Sequence, residues 1–298
     1  MTTDAVQLTV VTESDPARRL RRRVLSVVAH VLLVGVSIAM LYPLLWLLAS
    51  SFRPENEIFG AGISLLPSES WSLDSYFRGW SGLRVSFSTF FANSLIISVL
   101  CVIGNVAACS LAAFAFARME FPGRRFWFAM MLMTLMLPYQ VTLIPQYVLF
   151  LNLGWVNTFL PLIVPKYLAS DAFFIFLMVQ FFRGIPKELD EAARMDGASP
   201  WRIYWKIMLP LSTPVLATAA IFTFIWTWDD FFGPLIYLSE LKDYTVMLGL
   251  RTFTDSTGES DYGGLFAMSV LSLVPIFVFF LAFQRLLIEG IATTGMKR

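Results

Sequence analysis

Histidine and cysteine are almost missing from this chain. Its 298 residues hold one His and two Cys. A zinc-type site takes four ligands drawn largely from these residues, so no such constellation can be assembled. Cys101 and Cys109 fall in one apolar stretch and read as small packing residues. No G-x-x-x-x-G-K-[ST] loop occurs anywhere, so nothing here cradles the phosphates of ATP. No serine, cysteine or histidine nucleophile sits in a pattern that supports an enzyme. Charge is scarce as well: 14% of residues are charged and 57% are hydrophobic, where a soluble domain carries roughly 25% charged residues. A chain of this composition is a polytopic membrane protein whose solvent is the lipid bilayer. The net charge of +1, with no basic run interleaved with aromatics beyond the N-terminus, offers nothing to nucleic acid. There is no repeat and no low-complexity tract.

What the sequence does have is long uncharged runs, which set the expected fold class: an all-α integral membrane protein with six transmembrane helices. The spans fall at about 24–52, 88–117, 126–150, 158–182, 211–238 and 263–288. Residues 126–165 carry no charge at all, twice the about 20 residues that one span needs. The turn composition at Asn152, Gly154 and Asn157 divides them, and Pro138 and Pro145 are expected to bend the first half. Residues 1–23 form a polar N-terminal tail closed by Arg18, Arg19, Arg21, Arg22 and Arg23, and 289–298 form a C-terminal tail. Residues 53–84 read as a loop with a short interfacial helix near Trp71, Tyr76 and Trp80, and 239–262 as a second polar loop. His30 in the first span reads as packed between helices rather than as a proton relay. Sixteen of the 22 Lys and Arg lie on the side of both termini, 118–125 and 183–210; six lie opposite. The positive-inside rule then places both termini and the 183–210 loop in the cytoplasm.

That loop, RGIPKELDEAARMDGASPWRIYWKIMLP, is a charged island between apolar spans. Pro186 near the start, with Glu188, Asp190 and Glu191 in the opening turn, marks a helix whose dipole favours carboxylates there. Asp190 and Arg194 are spaced four apart for a helix-surface pair. Gly197 is the expected stop, and Ser199-Pro200 the N-cap and first residue of a second helix running to about Pro210. Ala192, Ala193, Gly197 and Ala198 keep one surface low enough for another protein to approach.

Glu191-Ala192-Ala193, Asp196-Gly197-Ala198 and the closing Ile207, Leu209 and Pro210 resemble the EAA loop of ATP-binding-cassette importer permeases. The resemblance implies a type I importer-like permease fold with a cytoplasmic coupling-helix hairpin that docks on an ATPase. It gives Glu191 a partner arginine on that ATPase and Gly197 a close-contact role. Asp196 either joins that contact or caps its own hairpin. The W-D-D-F-x-G-P-L-I run, the Tyr244–Leu250 stretch and the Gln284-Arg285…Glu289-Gly290…Thr293-Thr294-Gly295-Met296-Lys297 ending resemble the carbohydrate-uptake branch, specifically its smaller maltose-type permease subunit. Two positions depart from that pattern: Asp229, where Asn is more usual, and Arg298, where Gly is. The partners so implied are a second homologous permease, two ATPase subunits carrying ATP and Mg, and an extracytoplasmic sugar-binding protein, in a bacterial cytoplasmic membrane. No cofactor is expected on this chain itself.

Charges at membrane depth usually face a cavity or a partner. Lys166, Asp229 and Asp230 come out at similar depths, and the expectation is that Lys166 faces one of the two acids across the translocation path. Asp171 lies about 140° round an ideal helix from Lys166 and is disfavoured. The bland alternative is that both acids lie among headgroups. Trp228, with Trp226, Phe231 and Phe232, either stacks on sugar faces or forms an interfacial belt. The competing function class is an ion-coupled secondary transporter or channel, which leaves the hairpin unexplained.

Overall fold

The computed structural model describes residues 16–60, 65, 71–254 and 260–295. Among them every regular element is helical. Four long apolar stretches stand out: α1 (Pro16–Ser50), α4 (Phe87–Arg118), the stretch Leu160–Gly184, and α15 (Tyr262–Gly295). Two further candidates are bent pairs. Helix α5 (Arg124–Thr134) meets α6 (Tyr139–Asn152) at 99°, and Pro200–Leu211 meets α12 (Thr213–Trp228) at 77°. By length and composition the chain therefore offers four crossings, or six if each bent pair is one. Short helices α2 (Glu55–Ile58) and α3 (Asp74–Ser81) occupy the first loop, where a short helix is expected from the sequence.

Several boundaries differ from the sequence reading, each for a local reason. The 126–150 span breaks at 135–138 ahead of Pro138, while Pro145 sits inside an unbroken α6. A membrane helix can absorb one missing N–H, whereas Pro138 disfavours helical geometry in the residue before it. The 158–182 span is built of α7 (Leu160–Ile163), a 3₁₀ turn Val164–Leu168 and α8 (Ala172–Gly184). Ala169 between them has φ 51°, in the left-handed region that ends a helix. The fifth span, expected over 211–238, stops at Trp228; Gly233-Pro234 lie in the first turn of α13 (Phe232–Tyr237), where a proline's missing N–H has no helix partner to lose. Helix α15 continues through position 288 to Gly295, so most of the expected C-terminal tail is helix. The N-terminal tail at 1–15 lies outside the described residues, and α1 already begins at Pro16. His30 is exposed on α1, its ring 2.6 Å from the carbonyl of Ser26 in the same helix, and no other described element packs over it.

The largest revision concerns 239–262. Residues 241–253 fold inward as a 3₁₀ turn, α14 (Val246–Leu250) and a second 3₁₀ turn. Val246, Leu248 and Phe253 are buried. The backbone polar groups of this segment are met by α4: Asn93 Nδ2 donates to the carbonyls of Lys242 (2.9 Å) and Tyr244 (3.0 Å), and the Val246 amide donates to Ser94 Oγ (2.8 Å).

Two hydrophobic cores result, one toward each end of α4. Phe87 and Phe90 join Phe224, Trp228, Val246, Phe253, Ala267 and Met268 at one end. Cys109, Ala113 and Phe114 join Phe174, Met178, Phe182, Tyr204 and Met208 at the other. Both cysteines are free and buried, consistent with the packing role read for them. Helix α4 is covered by α8 and α12, whereas α1 and α5 present apolar side chains outward. Gly249 allows the close approach of α14 to α4, because a Cβ there would strike the Phe90 ring. Gly249→Ala should therefore destabilise the fold by about 1–3 kcal/mol through overpacking, read as a lower melting point in detergent; an unchanged melting point would show that Phe90 yields.

Candidate functional site

The 183–210 island folds as a helical hairpin with the end signals the sequence carries. Helix α9 (Glu188–Met195) opens on three carboxylates and ends at Asp196 and Gly197, whose φ is +77°. Ser199 Oγ accepts from the Arg202 amide at 3.3 Å, capping α10 (Pro200–Ile203). The helix then runs through a π-helical turn, Tyr204–Met208, into α11 (Leu209–Leu211). Glu191, Ala192, Asp196, Gly197 and Pro210 are exposed. Ala193 and Ala198 instead pack against the hairpin-end core. The small-residue surface is thus split: Ala192 and Gly197 face outward, while Ala193 and Ala198 let the hairpin sit close on its own spans. Asp196 stands at the C-cap through its backbone, and among the described residues its carboxylate makes no hydrogen bond.

Asp190 does not pair with Arg194. It turns inward to Arg118 at the end of α4, Nη1 to Oδ2 at 3.3 Å, with side chains only 2% and 8% exposed. Arg118 Nη2 also donates to the carbonyls of Phe182 (2.7 Å) and Ile185 (2.6 Å), at the end of α8. A helix leaves its last carbonyls without internal partners, and one guanidinium fork serves two of them while balancing a carboxylate. In the sequence reading Arg118 is only one of the positive charges that set topology. The available signal is that it closes an uncharged run of more than thirty residues, ahead of an island whose opening turn holds three carboxylates. A second tie joins Tyr204 of the hairpin to Ser110 of α4, oxygen to oxygen at 2.8 Å. Beside the clamp lies a cavity of about 500 Å³ lined by Arg124, Arg183, Lys187, Glu191 and Arg194 among others. Arg183 itself sits over the Phe128 ring, 5.2 Å from its centre.

At the other end of the spans, Lys166 pairs with Asp171, Nζ to Oδ2 at 3.1 Å, rather than with Asp229 or Asp230. The 140° argument fails because the intervening backbone is a 3₁₀ turn and a left-handed residue, not an ideal helix. Lys166 and Asp230 nonetheless line one cavity of about 100 Å³, with Ser94, Ile97, Trp226 and Thr227. Asp230 Oδ1 accepts from the Gly233 amide at 3.0 Å, whereas Asp229 is exposed at the C-cap of α12. The cavity is smaller than the roughly 300 Å³ of an ordinary ligand pocket, so by itself it does not enclose a sugar-sized ligand. Trp228 is 1% exposed, stacks on Phe224 and donates through Nε1 to the Ser272 carbonyl at 3.0 Å. Two residues round a helix is about 200°, which puts Trp226 on the cavity and Trp228 in the core.

Residues 104–293 match the family described as binding-protein-dependent transport system inner membrane component. The chain is 35% identical to the arabinooligosaccharides transport system permease protein AraQ of Halalkalibacterium halodurans, over 93% of this chain and 100% of the relative. It is 32% identical to the diacetylchitobiose uptake system permease protein NgcG of Streptomyces coelicolor, over 91% and 88%. To the trehalose/maltose transport system permease protein MalG of Thermococcus litoralis it is 31% identical, over 93% and 97%. Its fold is similar to that of a chain in a bacterial ABC transporter involved in import of the acidic polysaccharide alginate, with TM-score 0.78 at 24% identity, covering 88% of this chain and 96% of that one.

Removing one partner of a buried pair strands the other, at about 3–5 kcal/mol. Asp190→Asn should therefore destabilise the chain on that scale in detergent denaturation, while Arg194→Ala should stay within about 0.5 kcal/mol. Equal losses in the two variants would return the pairing to Asp190 and Arg194.

Proposed function

Because the chain belongs to the family of binding-protein-dependent transport inner membrane components, we propose that it forms one half of the translocation path of an ATP-driven sugar importer. It is a multi-pass inner-membrane protein and a transport subunit rather than an enzyme. The observation that carries the mechanism is the exposed hairpin bearing Glu191, Ala192 and Gly197, mounted on α8 and α12 and clamped to α4. With no phosphate-binding loop in this chain, hydrolysis belongs to two separate ATPase subunits that hold ATP and Mg. Counting Lys and Arg supports six crossings with both termini and the hairpin in the cytoplasm, where those subunits are. Glu191 would meet an arginine on the docked ATPase, with Gly197 at the close contact and Asp196 beside it. Movement of the ATPase halves then rocks the spans as rigid bodies and exposes a shared cavity to one side at a time. The outward apolar faces of α1 and α5 suit lipid and a second, homologous permease. A sugar-binding protein would dock at the opposite end.

The proposed substrate class is a di- or oligosaccharide or a related polyol phosphate, in keeping with what the names of the relatives say they carry. Lys166, Asp171 and Asp230 are the polar groups of this chain nearest the path, with Trp226 as the aromatic surface beside them. An ion-coupled carrier is not favoured, since it leaves the hairpin and the family membership without a role.

Purification in mild detergent should recover a second permease and ATPase subunits with this chain, and a sugar-loaded binding protein should stimulate their ATP hydrolysis. Solute movement by the isolated chain in liposomes under an ion gradient would overturn this reading. Glu191→Ala should lower uptake by more than about tenfold, the scale for losing an interfacial charge pair, with unchanged protein level because the side chain is exposed. On the path, charge exchange between Lys166 and Asp171 should restore uptake lost in either single variant, and exchange between Lys166 and Asp229 should not.

A further inference from the structure

Of the three long elements bound to the hairpin, α8 and α12 through the chain and α4 through side chains, among the described residues only α4 continues unbroken to the opposite end. Helix α8 is separated from α9 by an extended residue, Ile185, and from the rest of its span by left-handed Ala169. Helix α12 leaves the hairpin at a 77° bend and stops at Trp228. Helix α4 runs 32 residues without a kink-forming proline, about 48 Å at 1.5 Å per residue.

Both ends of α4 are fastened by polar contacts rather than by packing alone. At the hairpin end Arg118 holds Asp190 of α9 and two carbonyls closing α8, and Ser110 holds Tyr204 of the second hairpin helix. At the other end Asn93 takes the carbonyls of Lys242 and Tyr244, and Ser94 takes the Val246 amide. Between them buried Asn105 donates to Thr223 Oγ1 at 2.8 Å, tying α4 to α12. Hydrogen bonds between helices in a bilayer hold direction and register, which apolar contacts against lipid-like neighbours do not.

We propose that α4 is the rod that carries movement of the hairpin to the inward-folded segment 241–250 at the sugar-binding-protein side, with Arg118 as the positioning residue that locks the rod to the hairpin. The proposal rests on the importer reading above. It places the allosteric link in one rigid element with a fastening at each end, in place of a path through the broken spans four and five.

The test uses the whole importer, with second permease, ATPase subunits and binding protein, in liposomes. Cys101 and Cys109 are replaced by Ala, and Lys242→Cys supplies a probe for a membrane-impermeant maleimide; Lys242 is exposed. In the otherwise unaltered complex, a non-hydrolysable ATP analogue should change the labelling rate at this position. In Arg118→Met the response should vanish and uptake per ATP hydrolysed should fall about tenfold, within the usual range of coupling between sites, while ATP hydrolysis continues. Asn93→Leu with Ser94→Ala, at the far fastening, should abolish the labelling response with the hairpin contacts untouched. This pair decides the matter if Arg118→Met does not assemble. A full nucleotide response in either variant overturns the rod. If the unaltered complex shows no nucleotide-driven uptake, the importer reading itself has failed and the proposal falls with it.

Discussion

A guanidinium buried at the foot of the spans needs a counter-charge and acceptors, and the hairpin and the end of α8 supply them to Arg118. Taking an ion out of water costs several kcal/mol even after relaxation. Arg118 offsets that with one carboxylate and two helix-end carbonyls, drawn from α9 and the end of α8. The planar fork divides the work between two nitrogens, Nη1 toward Asp190 and Nη2 toward the two carbonyls. The consequence is mechanical: α4, α8 and α9 meet at one charged knot, so the hairpin cannot tilt without moving α4 or stranding a buried charge.

The opposite half is built on another principle. Helix α8's span and α12 are each broken, at Ala169 and at Asp229–Phe231. Breaks release carbonyls and amides, which a membrane protein can tolerate only where protein or water receives them. Here Asp230 receives the Gly233 amide and the Lys166–Asp171 pair bridges its own break. Polar groups therefore concentrate where helices end, beside the small cavity. Helix α4 is unbroken where the elements around it are not.

The hairpin was legible because its signals are local. A capping serine, a glycine able to take positive φ and a first turn of carboxylates lie within a few residues of what they control, and the structure shows each in place. Long apolar helical stretches are legible from hydrophobic runs for the same reason, whereas the breaks within them are not. Nor are the pairings. Asp190 has Arg194 one turn away, yet its partner lies on another helix, because burial favours the acceptor-rich knot over an exposed surface pair worth a few tenths of a kcal/mol. Lys166 and Asp171 were separated by assuming an ideal helix exactly where the backbone leaves one. The 239–262 segment reads as a solvated loop by composition, and only Asn93 and Ser94, two polar residues in an apolar helix, hint that something is folded against them.

Those two residues also explain why the span α4 can carry so many small and polar side chains without becoming a poor helix. Gly104 and the alanines of α4 let neighbours approach; Gly104 leaves no room for a Cβ beside Tyr167. Asn93, Ser94, Asn105 and Ser110 each spend their polarity on a different neighbour. Close approach makes short interhelical hydrogen bonds geometrically available, and those bonds in turn fix which neighbour sits at which height. A helix packed only by leucines would slide or rotate against its partners at little cost, since lipid tails are as apolar as they are. A composition rich in small and polar side chains thus fixes where each neighbour sits. It belongs to the element joining the two ends of the molecule.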